Sequence, residues 1–216
     1  MRRFAVLSLL AACAAPPMGL GAGPLSPSPG RTVVEGRTGM AAASGQQTFQ
    51  VEASAVGRFV RAFGMEVGVA VTRTALRGDD GTTLTSTGGF PFVRPRLQLG
   101  PVNVAVAAAG LGMGGGGGGI IGGIADVQVG YATAAWSAYV GAYAHGFELV
   151  GEPTSDVSSR QARVGGRYEI PAGRFRIGVG VELYAQRGTM RQGGAVAEIP
   201  GFGAGLKLAV TSPEFR

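Results

Sequence analysis

The sequence predicts an all-β protein: an eight-stranded antiparallel up-and-down β-barrel that crosses a membrane. Three observations carry this expectation. From about Phe59 onward, apolar residues alternate with small or polar ones in stretch after stretch, the period of a strand with two different faces. Helix formers are scarce, since 40 of the 216 residues are glycine and Lys207 is the single lysine. Tight turns alternate with longer polar segments, as in a membrane-spanning meander whose short turns share one end.

The segment from Gln161 to Gln186 shows the pattern most plainly. Phe175, Ile177, Val179, Val181 and Leu183 fall on one face, and Arg176, Gly178, Gly180, Glu182 and Tyr184 on the other. The preceding run alternates likewise, and Ile170-Pro171-Ala172-Gly173 has the Pro and Gly placement of a type I turn. Pairing Tyr168 with Phe175 sets Val164 opposite Val179 and makes the two apolar faces coincide. It also sets Arg167 directly opposite Arg176.

Eight strands are read in this way, between about residues 59 and 211. The first spans about Phe59 to Ala75, and Gly100-Pro101 joins the second to the third, pairing Leu99 with Val102. A glycine-rich loop covers about Gly112 to Gly119. The segments Arg77–Gly89, Glu148–Ser159 and Arg187–Gly194 are read as polar loops facing outward from the cell. Pro95 removes one ladder hydrogen bond and implies a bulge. Residues 212–216 form a tail.

The beginning of the chain reads as an export signal, residues 1–12. Arg2-Arg3 is a cationic n-region, and Phe4 to Ala12 is an apolar h-region too short to span a bilayer. Leu10-Ala11-Ala12-Cys13 resembles the bacterial lipobox, which implies lipidation of Cys13. An ordinary signal peptide with an incidental Cys is the alternative. Residues 13–58 are expected to be the lipidated N-terminus and a flexible linker rich in Pro, Gly and Ser, with a short extra strand at 48–55.

The apolar set carries hardly a charge in mid-strand. The opposite set mixes Gly and Ala with Glu66, Arg94, Arg96, Asp126, Arg163, Arg167, Arg176, Glu182 and Lys207. If the apolar set meets lipid, these charges fill the lumen and must pair to be tolerated. Three acids against six bases leave an imbalance. Tyr131, Trp136, Tyr168 and Phe175 flank the tight turns, where an interfacial aromatic girdle belongs. The competing reading is a soluble lipocalin-like ligand-binding barrel of the periplasm or cell surface, with the apolar set inside.

Residues from about 59 to 210 resemble the small outer-membrane barrels of the OmpA-transmembrane-domain and OmpX kind. Gly205-Leu206-Lys207-Leu208-Ala209-Val210 is similar to part of that family's C-terminal assembly signal, although a terminal aromatic is lacking and Phe215 is penultimate. The resemblance implies the bacterial outer membrane, a monomer in contact with outer-membrane lipid, and the barrel assembly machinery as a partner.

Chemical motifs point away from catalysis. Gly110-Leu111-Gly112-Met113-Gly114-Gly115 matches G-x-G-x-x-G, but the following glycines forbid the helix that a dinucleotide site requires. His145 is the single histidine and Cys13 the single cysteine, so no metal site or cofactor is expected, nor an intramolecular disulfide. Ser137 and Glu148 flank His145 only loosely, so a lipid-modifying enzyme is the third reading, behind a non-enzymatic barrel serving envelope structure or loop-mediated binding. The formal charge of +6 comes from scattered arginines, which argues against a nucleic-acid partner.

Overall fold

Ten antiparallel strands close into one barrel in a computed structural model that describes residues 28–43, 45–77, 83–115, 118–150, 156–192 and 195–216. They are β1 (Arg31–Ala43), β2 (Gln46–Arg58), β3 (Phe63–Arg77), β4 (Thr83–Leu99), β5 (Val102–Gly115), β6 (Gly118–Ala132), β7 (Trp136–Val150), β8 (Asp156–Ala172), β9 (Phe175–Gln192) and β10 (Ala195–Thr211). Each strand pairs with its sequence neighbours, and β1 pairs with β10 to close the ring. The eight expected strands correspond to β3–β10. The count of eight is corrected by β1 and β2, which arise from the stretch read as a linker. The extra strand foreseen at 48–55 is the middle of β2. The signal segment and Cys13 lie outside the described residues.

Closure extends past the last strand. The Ser212 N–H donates to the Val34 carbonyl at 2.8 Å, and Thr32 and Phe215 exchange backbone hydrogen bonds at 2.8 and 2.9 Å. The tail is thus bonded along β1 and covers an edge that would otherwise be open.

The β8–β9 hairpin turns two residues later than the sequence suggests. Ala172 pairs with Phe175, leaving a two-residue turn in which Gly173 has φ +62°, the left-handed region such turns need and glycine supplies. Tyr168 therefore faces Val179, Val164 faces Leu183, and Arg167 faces Gly180 rather than Arg176. The slip is four residues, an even number, so every side chain keeps its face. At Gly100-Pro101 the expected register holds, with Leu99 opposite Val102, Leu97 opposite Val104 and Val93 opposite Ala108. Pro95 interrupts that ladder, yet Val93–Ala108 and Arg96–Ala105 share one register. The missing N–H costs a bond, and no bulge residue is inserted.

The long loops are corrected too. β4 begins at Thr83, β8 at Asp156, and β9 continues to Gln192, so most of each polar segment extends a strand. The glycine-rich segment is largely strand, since Gly114 pairs with Gly119 and Gly115 with Gly118. Polar composition there reflects strand ends that project beyond the apolar band, since strands of 13 to 18 residues exceed the roughly 9–11 that cross hydrocarbon.

The wall is inside-out relative to a soluble protein. Val67, Val69, Val129, Val140, Val164, Val179, Val181, Leu206 and Leu208 are exposed on the outer face, while Glu66, Arg94, Arg96, Asp126, Arg163 and Glu182 are buried within. A lipocalin-like barrel has the opposite arrangement. Closure pairs strand with strand all round the ring, as a bilayer demands of backbone groups, and an apolar exterior around a polar interior is the architecture of a bacterial outer-membrane barrel.

Candidate functional site

The lumen is filled at mid-height by ion pairs that run from strand to strand. On β3 and β4 the alternation turns Glu66, Arg94 and Arg96 inward, each at most 2% exposed. Arg94 Nη1 lies 3.1 Å from Glu66 Oε2, and its Nη2 lies 3.5 Å from Asp126 Oδ2 on β6. Arg163 of β8 bonds the other oxygen of Asp126. Glu66 also accepts from Arg37 of β1, whose Nε is 3.0 Å from Glu35 and 3.4 Å from Glu52 of β2. Glu35 in turn receives both Nη atoms of Arg167, at 2.9 and 3.1 Å, and the Thr211 hydroxyl at 2.7 Å. Arg167 completes the line with Glu169. One continuous chain of charges therefore leaves β8 at Glu169, crosses through β1, β3, β4 and β6, and returns to β8 at Arg163.

A second cluster stands beside it. Lys207 Nζ is 2.9 Å from Glu182 Oε2 and donates to the Tyr139 hydroxyl at 2.9 Å, while that hydroxyl donates to Glu182 at 2.5 Å. Room for Tyr139 comes from Gly165 on the adjoining strand, where a Cβ would approach the ring within 2.5 Å. Gly178 likewise clears the Arg167 guanidinium. Glycines on the lumen face thus act as sockets for the large side chains of neighbouring strands.

Toward the other end of the lumen, the described inward residues of β2, β8 and β9 are polar and uncharged. Gln46, Thr48, Gln50, Ser159, Gln161 and Gln186 are buried there, and the Gln186 amide reaches Gln46 at 3.3 Å. His145 faces inward near this layer, beside the Tyr143 ring. Ser137 is also inward but eight residues away on β7, roughly 26 Å along a strand. Glu148 has the opposite parity and is exposed on the outer side. The three residues weighed for lipid-modifying chemistry do not converge.

Of the nine charges expected in the lumen, eight belong to these clusters. Arg176 lies at the barrel mouth, half-buried, opposite Pro171 and Thr211. Glu35, Arg37, Glu52 and Glu169 are the members that sequence reasoning missed. With them, six acids face six bases: Glu35, Glu52, Glu66, Asp126, Glu169 and Glu182 against Arg37, Arg94, Arg96, Arg163, Arg167 and Lys207. β1 and β2 supply Glu35, Glu52 and Arg37, while Glu169 stands on β8 and Arg176 drops out of the count at the barrel mouth.

Tyr131, Trp136, Tyr168 and Phe175 all point outward near the tight turns and are about half exposed. Tyr131 and Trp136 stack at 5.5 Å, and Trp136 pairs across the strands with Tyr168. Phe59 and Phe63 continue the ring on the β2–β3 side, their centroids 6.2 Å apart.

No family model and no curated protein matches the chain. Solved structures similar in fold include an outer membrane channel from Pseudomonas putida F1, at 12% identity and TM-score 0.47 over 90% of this chain and 99% of that one. The outer-membrane protein OprG from Pseudomonas aeruginosa is similar at 8% identity and TM-score 0.32, covering 86% of this chain and 97% of that one. OmpT of Vibrio cholerae is similar at 13% identity and TM-score 0.42 over 79% of this chain, which spans 56% of the OmpT chain.

Proposed function

We propose that the protein is a non-enzymatic structural barrel of the outer membrane whose lumen is closed to solutes by its own side chains. The observation that carries this reading is the unbroken chain from Glu169 through Arg37, Glu66 and Arg94 to Arg163, which crosses the lumen and leaves its central members at most 7% exposed. Such a network stabilises a fixed cross-section: each charge compensates the next, and removing one strands its neighbours in a poorly solvated interior. A gated or conducting pore would need those pairs to open together.

Envelope structure is favoured over loop-mediated binding because the far-end connections, at residues 44–45, 78–82, 116–117, 151–155 and 193–194, are short. Insertion by the barrel assembly machinery as a monomer, surrounded by outer-membrane lipid, belongs to the same reading. Purified protein in planar bilayers is expected to show no steady unit conductance. Arg37→Ala combined with Arg94→Ala, which cuts the network at two links, should introduce conductance steps. Stable channels from the unmodified protein would overturn the reading.

A further inference from the structure

On the outer wall the apolar band ends abruptly in arginine. β8 presents Tyr168, Gly166, Val164 and Ala162 outward, then Arg160, and β9 presents Leu183 and Ala185, then Arg187. Arg160 and Arg187 are direct cross-strand partners, and both are exposed. Their remaining cross-strand neighbours are Ala144 on β7 and Pro200 on β10, and among the described residues no carboxylate pairs with either arginine. Like charges directly opposite one another are destabilising, and the arrangement stands at a lipid surface where no water-filled lumen screens it.

Immediately below the two arginines the wall is indented. Val127, Ala142, Ala162, Ala185 and Phe202 lie in one register across β6 to β10, and the three alanines floor a groove of about 730 Å³ that Arg160 and Arg187 border. The next row down is bulky again, with Val140, Val164 and Leu183 in register. The groove is therefore a dent in a lipid-facing wall, roofed by two positive charges, and what fills it must be apolar below and anionic above.

We propose that Arg160 and Arg187 hold the phosphate of an outer-leaflet, lipid A-class lipid, with one acyl chain lying in the alanine groove beneath them. Guanidinium groups bind phosphate oxygens through paired charge-assisted hydrogen bonds, and basic sites on a membrane protein's wall capture anionic lipid headgroups. Phosphate between the two side chains replaces their mutual repulsion with two attractions. Phe202, 83% exposed beside the groove, gives the acyl chain a flat apolar flank.

Native mass spectrometry of the detergent-refolded barrel tests this with monophosphoryl lipid A, phosphatidylglycerol and phosphatidylcholine as probes. Lipid A adducts should survive collision energies that strip phosphatidylcholine. Arg160→Ala with Arg187→Ala should weaken lipid A binding by about tenfold or more, Arg174→Ala at the opposite end should leave it unchanged, and retained heat-dependent gel mobility would show that each variant is folded. Equal loss of lipid A and phosphatidylcholine, or a double variant that binds as the parent does, would overturn the proposal. Phosphatidylglycerol retained better than lipid A would also overturn it, reassigning the arginines to a diester phospholipid.

Discussion

Individual residues in this barrel are fixed by what reaches them across strands, so single substitutions read out the lumen directly. Glu182 is 1% exposed and takes hydrogen bonds from Lys207 and Tyr139. Glu182→Arg removes the carboxylate from both and adds a cation beside Lys207. Breaking a buried pair costs about 3–5 kcal/mol, so urea titration of the refolded variant in detergent should show a clearly lowered midpoint. A midpoint equal to the parent's would argue that water, not the protein, solvates this layer. Gly165→Val tests the socket beside it: the new side chain must displace Tyr139, with an overpacking penalty of about 1–3 kcal/mol. In a Tyr139→Ala background that penalty should largely vanish, and a persistent cost would mean Gly165 is required for another reason. The sequence reveals that Glu182 and Gly165 share the lumen face, because parity alone decides that. Which side chain fills which socket depends on inter-strand register, which residue spacing along one strand does not contain.

At the scale of elements, parity survives errors that register does not. The β8–β9 slip of four residues moved every partner and no face, which is why parity alone puts Arg163, Arg167 and Glu182 in the lumen without their contacts. β1 escaped notice for a different reason. Its inward set, Val33, Glu35, Arg37, Gly39 and Ala41, and its outward set, Thr32, Val34, Gly36, Thr38 and Met40, are equally mixed, so no hydropathy period marks it. Its strand character comes from pairing on both sides, with β10 and β2, a tertiary cause invisible in a local window. Deleting residues 28–58 removes β1 and β2 and with them Glu35, Arg37 and Glu52. It leaves β3 and β10 with unpaired backbone facing lipid, which is prohibitive in a bilayer. The truncated protein should lose the faster, heat-sensitive mobility of a closed barrel in unboiled gels. If it kept that mobility, β3–β10 would be able to close alone as eight strands, and the two N-terminal strands would be dispensable.

For the whole molecule, the two ends of the apolar wall are chemically distinct, and that difference sets its direction in the membrane. Ten strands bring the start of β1 and the end of β10 to one end, together with the turns at Gly100-Pro101 and Gly173-Arg174 and the Tyr131, Trp136, Tyr168 and Phe175 girdle. From Tyr168 to Arg160 the chain rises roughly 26 Å along β8, about 20 Å along the normal once strand tilt is included. That approaches the ~25 Å apolar band of such barrels, so Arg160, Arg187 and Arg73, outward on β3 beside Phe49, mark the second interface. Above them β4, β8 and β9 continue with a largely polar sequence. Connections are short at both ends, but β7 and β9 begin in the aromatic girdle, at Trp136 and Phe175, and run on past the arginine row to Val150 and Gln192. Outer-membrane barrels carry their longer extensions on the cell-surface side, so the arginine end is expected to face outward. An epitope inserted at residue 81, in the β3–β4 connection, should be labelled on intact cells, whereas one inserted after Ala172 should be reached only once the outer membrane is permeabilised. The reverse labelling would invert the barrel and set the aromatic ring, rather than the arginines, at the cell surface.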